Sequence, residues 1–260
     1  KVLKFGFRPG NPAVAVGDPI SKDNGVDPTQ PQTLLEMPSG DVMVQLLDAW
    51  AQQRKGARVM LVIDVSGSMG DPADPSDPNG PTKLDLAKAA VIAGLDQFKA
   101  EDLVGVRIFT SGIDGKDATY QDLAPVQPIG PNRERIRSQV DGLMPLNGTP
   151  LYEVTQTSYD QMLTGYDPSL INAVIVLTDG RNDDGDATDD RKQLEALLSD
   201  VKDHNDGESS KPVRIFTIAY GGDTNPGELK RISEASNATA YTATDATTIN
   251  DVFAAVVSNF

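Results

Sequence analysis

The chain contains no cysteine. That excludes disulfides, thiolate nucleophiles and cysteine-bound zinc. Histidine occurs once, as His204 in "KDHNDGESS", a polar stretch that reads as an exposed loop. No apolar run approaches the roughly 18 residues that a membrane-spanning helix needs, and no secretory signal pattern opens the chain. Positive charge is also scarce. Lysine and arginine number 23 against 38 acidic residues, for a formal net charge of −15. So acidic a surface repels phosphate backbones and excludes non-specific nucleic-acid binding. It suits a protein that meets cations or basic surfaces.

The 260 residues suffice for one large α/β domain and a substantial core. Residues 1 to about 38 are rich in turn formers, with Pro9, Pro12, Pro19, Pro28, Pro31 and Pro38. Only "KVLKFGF" there reads as a strand. In "SGDVMVQLLDAWAQQRK", Met43, Leu46, Leu47 and Trp50 recur at helical spacing, which predicts an amphipathic helix with a buried stripe. From Arg58 the pattern changes. "RVMLVID", "VGVRIFT", "NAVIVLTD" and "VRIFTIAY" are apolar strands, with "ATYQDLAPVQPI" and "ATAYTA" as weaker ones. Helical segments separate them. Thr82 and Asp85 predict a capping box, followed by a helical face of Leu84, Ala87, Val91, Leu95 and Phe98. A last helix is expected over 246–260. Continuous apolar strands alternating with helices predict a doubly wound, mostly parallel sheet with helices on both faces.

Ligands of such sheets bind beyond the carboxyl ends of the strands. Asp64, Ser66 and Ser68, in "LVIDVSGSM", stand at such an end, and so does Asp179 in "VIVLTDG". Thr149, in "NGTPLY", precedes a helix that Pro150 starts. Two carboxylates and three hydroxyls form an all-oxygen donor set, suited to Mg²⁺, Mn²⁺ or Ca²⁺. Taken alone, Asp64, Ser66 and Ser68 also fit a helix-capping turn. Two acidic stretches, "GDPADPSDPNGP" and "RNDDGDATDD", follow strands directly and lack the EF-hand spacing. They read as solvated loops that rim the same strand ends.

"DVSGS", "GTPLY" and "LTDG", in this order, resemble the von Willebrand factor A domain and its metal-ion-dependent adhesion site. The resemblance covers roughly residues 57–260 and fills all five motif positions: Asp64, Ser66, Ser68, Thr149 and Asp179. It implies a Rossmann-like sheet of about six strands with one short antiparallel edge strand. It also implies that the serines and threonine bind the ion directly and that the aspartates do so directly or through water. A protein ligand then offers a carboxylate to the open position. Set in the acidic rim, that carboxylate is expected within a basic surface. Relatives often carry two glycines before the threonine. Here Asn147 and Gly148 stand there, and a left-handed Asn147 is expected to preserve the loop.

Residues 1–56 resemble the tail of the solute-binding-like domain that precedes such a module in actinobacterial envelope proteins. On that reading residues 57–260 form the adhesion-type domain of a larger extracellular or cell-envelope protein. Any signal or anchor is then expected outside this chain. The resemblance implies a non-enzymatic, metal-dependent protein-binding module. One alternative is a metal-dependent phosphohydrolase opening on Asp64, which needs a second acid two residues later where Ser66 stands. The other is solute binding through the missing N-terminal body.

Overall fold

The computed structural model describes residues 15–29, 38–53, 55–206, 210–221, 224–243, 252 and 255–256. The chain divides into two compact units, Lys1–Gln53 and Arg54–Phe260. The expected strand "KVLKFGF" lies outside the described residues. In the first unit the predicted helix forms as α1 (Gly40–Gln53). Its stripe is not buried as expected: Met43 and Leu46 are 43% and 54% exposed. The side chains of Leu47 and Trp50 lie outside the description.

The second unit is built on six strands: β1 (Ala57–Asp64), β2 (Leu103–Phe109), β3 (Tyr120–Pro128), β4 (Ile171–Thr178), β5 (Val213–Tyr220) and β6 (Ala240–Ala243). Their order is β3-β2-β1-β4-β5-β6. All neighbours run parallel except β2 and β3. The antiparallel edge strand is therefore present, but its nine residues make it a long strand rather than a short one.

The helices are α2 (Lys83–Leu95), α3 (Arg133–Asp141), α4 (Leu151–Thr164), α5 (Asp190–Asn205) and α6 (Pro226–Ala235). Thr82 and Asp85 make the predicted reciprocal box at the start of α2. Pro150 serves as N-cap of α4 rather than its first residue. His204 sits in the last turn of α5, not in a loop, with a side chain 45% exposed. Of the expected last helix, Val252, Ala255 and Val256 are helical and Val256 is fully buried. The rest of it lies outside the described residues.

Every residue of β1 is buried, and the strand's two-residue period divides its side chains between two cores. Val59, Leu61 and Ile63 meet Leu84, Ala87, Val91, Ile136 and Val140 from α2 and α3. Met60 and Val62 meet Val154, Tyr159, Met162, Leu197 and Ile232 from α4, α5 and α6. Each fully buried aliphatic or methionine side chain contributes about 1.5–3 kcal/mol. The middle strands can thus be apolar throughout, because neither face meets water.

The most buried charge in the sheet's interior strands outside the crevice is on β2. Arg107 on β2 is 1% exposed. Its guanidinium donates to both carboxylate oxygens of Asp122 on β3, at 2.7 and 3.1 Å. It also donates to Ser158 Oγ at 3.2 Å and to Gln161 Oε1, both on α4, and lies 3.8 Å from the Tyr120 ring centroid.

From β1 the chain winds outward through β2 and β3, then returns to the other side of β1 with β4. That reversal leaves a crevice between the carboxyl ends of β1 and β4.

Candidate metal centre

Asp64 ends β1 and Asp179 directly follows β4, so strand pairing brings both acids to the crevice. Both are fully buried. Asp64 Oδ1 accepts the Ser66 amide at 2.7 Å. Asp64 Oδ2 accepts the Thr178 hydroxyl at 2.5 Å. Burial pushes the Asp64 carboxyl up to about 7, and the nearby Asp179 charge adds to the rise. The two donated hydrogen bonds pull the other way without cancelling it.

After Asp64 the chain turns into a single 3-10 turn, Gly67–Gly70. Ser66 stands at its N-cap, yet its hydroxyl makes no capping hydrogen bond. It lies instead 3.2 Å from Ser68 Oγ. Ser68 Oγ in turn donates to Asp179 Oδ1 at 2.8 Å. The alternation D-x-S-x-S thus turns its side chains toward one another and toward the second acid.

The segment carrying Thr149 is tied to both neighbouring strand ends by its backbone. Leu146 N donates to Val65 O and Gly67 N to Asn147 O, each at 2.7 Å. Asn147 N donates to Thr110 Oγ1 at 2.9 Å, and Thr110 Oγ1 donates to Gly148 O at 3.0 Å. Thr149 pairs with Asp183 as an isolated antiparallel bridge. That bridge sets Thr149 beside Gly180, where an added Cβ would lie 3.2 Å from Thr149 Oγ1. Among the described residues no hydrogen bond engages the Thr149 hydroxyl.

The expected left-handed Asn147 is not found, since Asn237 is the one described non-glycine residue with positive φ. Asn147 serves through bonds instead: its side-chain amide donates to Ser111 O at 3.0 Å. Gly148 is not left-handed either. It is needed for space, because a Cβ there would sit 2.8 Å from Asp183 O and 2.9 Å from Ser111 Oγ.

All five residues singled out in the sequence therefore gather at this crevice. Two further groups were not foreseen. Thr178 holds Asp64, as above. Lys83, the first residue of α2, places Nζ 2.7 Å from Asp179 Oδ2 and is itself largely buried. A cation in the first turn of a helix opposes the helix dipole. That unfavourable placement was the available sign that Lys83 answers an acid elsewhere.

Both acidic loops adjoin the crevice, through Lys83 N to Asp71 O and through the Thr149–Asp183 bridge. Asp184, Asp189 and Asp190 lie close enough to share a cation. They are already engaged: Gln193 donates to Asp184 and Asp189, and Asn182 to Asp190. Asp189 and Asp190 stand at the start of α5, where Asp189 makes no side-chain capping bond.

Residues 59–255 match the family model of the von Willebrand factor type A domain. The chain belongs to this family. None of the curated proteins compared with it matches. Among solved structures it is similar to a von Willebrand factor type A protein from Catenulispora acidiphila, at 20% identity and a TM-score of 0.57. That likeness covers 78% of this chain and 42% of the other, so the chain spans under half of that relative. An aerotolerance-related membrane protein from Bacteroides fragilis aligns at 15% identity and a TM-score of 0.56, over 79% of this chain and all of that one. Proximal thread matrix protein 1 from the mussel byssus, with a zinc-occupied metal-ion-dependent adhesion site, aligns at 19% identity and a TM-score of 0.52, over 78% of this chain and 47% of that one. At these identities the likeness shows the von Willebrand factor type A fold. No helix among the described residues is long and apolar enough to cross a membrane.

Proposed function

We propose that this von Willebrand factor type A domain is a non-enzymatic, divalent-metal-dependent protein-binding module of a bacterial cell-envelope protein. Asp64, Ser66, Ser68, Thr149 and Asp179 would hold the ion, which supplies an electrophilic centre for a carboxylate from the partner.

The observation that carries the reading is the orientation of Ser66. A capping serine spends its hydroxyl on the backbone. This one stands at the N-cap without a capping bond, and its hydroxyl lies 3.2 Å from Ser68 Oγ, which in turn donates to Asp179 Oδ1. Among the described residues no hydrogen bond engages the Thr149 hydroxyl, so its lone pairs are available to an ion. The all-oxygen set favours Mg²⁺, Mn²⁺ or Ca²⁺. The mussel protein holds zinc at such a motif, so zinc belongs in the comparison. The rim also fits a protein partner: Leu146, bonded to Val65 O beside the site, is 47% exposed, and Met144, two residues earlier, is 73% exposed. With the acidic loops around them, they suit a surface that is basic and partly apolar. The envelope assignment draws on the membrane protein from Bacteroides fragilis among the similar folds.

The phosphohydrolase reading fares worse. Lys83 supplies a cation, but it pairs with Asp179 rather than with Asp64. Asp64 is fully buried, and the second acid that such an enzyme needs two residues later is replaced by Ser66.

Calorimetric titration of Mg²⁺, Mn²⁺, Ca²⁺ and Zn²⁺ into the metal-free protein tests the proposal. Saturable one-site binding is expected, lost in Asp64→Ala with the fold retained by circular dichroism. Binding that survives in Asp64→Ala would move the site elsewhere. Gly148→Ala should push the bridge of Asp183 and Thr149 out of place. It is expected to weaken the ion by about tenfold, the low end for groups that orient ligands, and an unchanged Kd would separate Thr149 from the ion.

A further inference from the structure

We infer that Lys83 is a resident counter-cation of the metal site, one that holds divalent affinity down and ties tight ion binding to the arrival of an anionic partner. The inference rests on the metal reading above and concerns a residue outside the five-ligand set.

The placement is built. Lys83 starts α2 directly after the Thr82–Asp85 capping box, which sets the direction of its backbone. Its stem runs to the carboxyl end of β5, where a Cβ on Gly221 would lie 3.5 Å from Lys83 Cε. Its Nζ reaches Asp179 Oδ2 at 2.7 Å, while Ser68 holds the other oxygen at 2.8 Å. Asp179 is fully buried and the lysine side chain is 11% exposed, so water screens this pair little. Both oxygens of one ligand carboxylate are thus engaged, one of them by a full positive charge.

A divalent ion entering this cluster meets that charge. It must either displace the ammonium from Asp179 or sit close to it. In either case like charges oppose each other at short range in a poorly screened site. Among the described residues, the buried charged groups at the crevice are two carboxylates, Asp64 and Asp179, and one ammonium, Lys83. Two carboxylates alone would match a divalent ion. With Lys83 present, the loaded cluster gains a positive charge that a partner's carboxylate can neutralise. The ion and the carboxylate should then strengthen each other, a coupling that is reciprocal by linkage.

The test compares wild type, Lys83→Met and Lys83→Arg by titration with Mn²⁺, reading free Mn²⁺ by electron paramagnetic resonance, with and without acetate. Circular dichroism and thermal melting establish that each variant is folded. Lys83→Met is expected to bind Mn²⁺ about tenfold or more tightly than wild type, because a poorly screened charge has been removed. Lys83→Arg, which keeps the charge, should stay close to wild type. Acetate should tighten Mn²⁺ binding in wild type and less so in Lys83→Met. Equal or weaker Mn²⁺ binding in Lys83→Met would overturn the inference and make Lys83 a positioning residue for Asp179. An equal gain in Lys83→Arg would also overturn it, since shape rather than charge would be responsible. If neither wild type nor any Lys83 variant binds Mn²⁺, the metal reading itself falls. Binding in all three at one affinity removes only the role given to Lys83.

Discussion

Arg107→Ala lowers the free energy of unfolding by about 3 kcal/mol, the low end for breaking a buried ion pair by removing one partner. Arg107 ties three elements at once, with Asp122 on β3 and Ser158 and Gln161 on α4. Truncation empties a site that is 1% exposed and leaves those partners without their donor. The Asp122 side chain is 35% exposed, so water can reach its carboxylate and temper the loss. Lost contact with the Tyr120 ring, 3.8 Å from the guanidinium, adds to it. Arg107→Met keeps most of the packing and should cost less than Arg107→Ala. The double variant Arg107→Met, Asp122→Leu should recover part of the deficit, because no charge is then left unpaired. Urea unfolding of the three variants measures this. A double variant less stable than Arg107→Met alone would show that the unpaired Asp122 carboxylate is not what costs stability.

Arg107 also shows where the sequence stops being legible. "VGVRIFT" reads as a buried strand on period and composition alone, and it is one. Nothing local says that its arginine points inward, because the compensating groups are about 15 and 51 residues away in sequence. The same distinction separates the rest. Strands with apolar residues throughout declare themselves, since only a sheet covered on both faces tolerates them. The capping box was readable because its two partners are three residues apart. Asp64 and Asp179 were readable as a pair because topology delivers strand ends to one crevice. The loop before Thr149 was read for the wrong property. A left-handed residue was expected from composition. The actual constraint on Gly148 is the approach of Asp183 O, a long-range contact that no local rule contains. The α1 stripe was legible as a helix, but Met43 and Leu46 are exposed, because periodicity reports amphipathicity and not what covers it.

The second large effect concerns Asp64 itself. In metal-free protein at pH 8, Asp64→Asn should be more stable than wild type, by on the order of 2 kcal/mol. The reason is that the carboxylate is fully buried and burial pushes its pKa up to about 7 from the ordinary 3.8. The full shift corresponds to roughly 4 kcal/mol, and half of that is a fair expectation after relaxation of the folded state. Asparagine removes the charge and keeps the bonds available. Its oxygen can accept the Ser66 amide. Its nitrogen can donate to Thr178 Oγ1, whose hydroxyl then rotates away from the 2.5 Å contact it now makes. The pH dependence has a definite sign. Between about 4 and 7 the folded protein holds a proton on Asp64 that the unfolded chain has released, so wild-type stability falls as pH rises through that window. Above it the cost is constant, and below it the cost is absent. The advantage of Asp64→Asn should therefore be seen at pH 8 and vanish near pH 4. Mg²⁺ should stabilise wild type at pH 8 by mass action and leave Asp64→Asn unmoved. Urea unfolding at the two pH values, with EDTA and with Mg²⁺, reads all of this. A metal-free Asp64→Asn less stable than wild type at pH 8 would mean that the hydroxyls and the Lys83–Asp179 pair already compensate the buried charge. In that case the site would be a finished polar network, with no need of an ion to complete it.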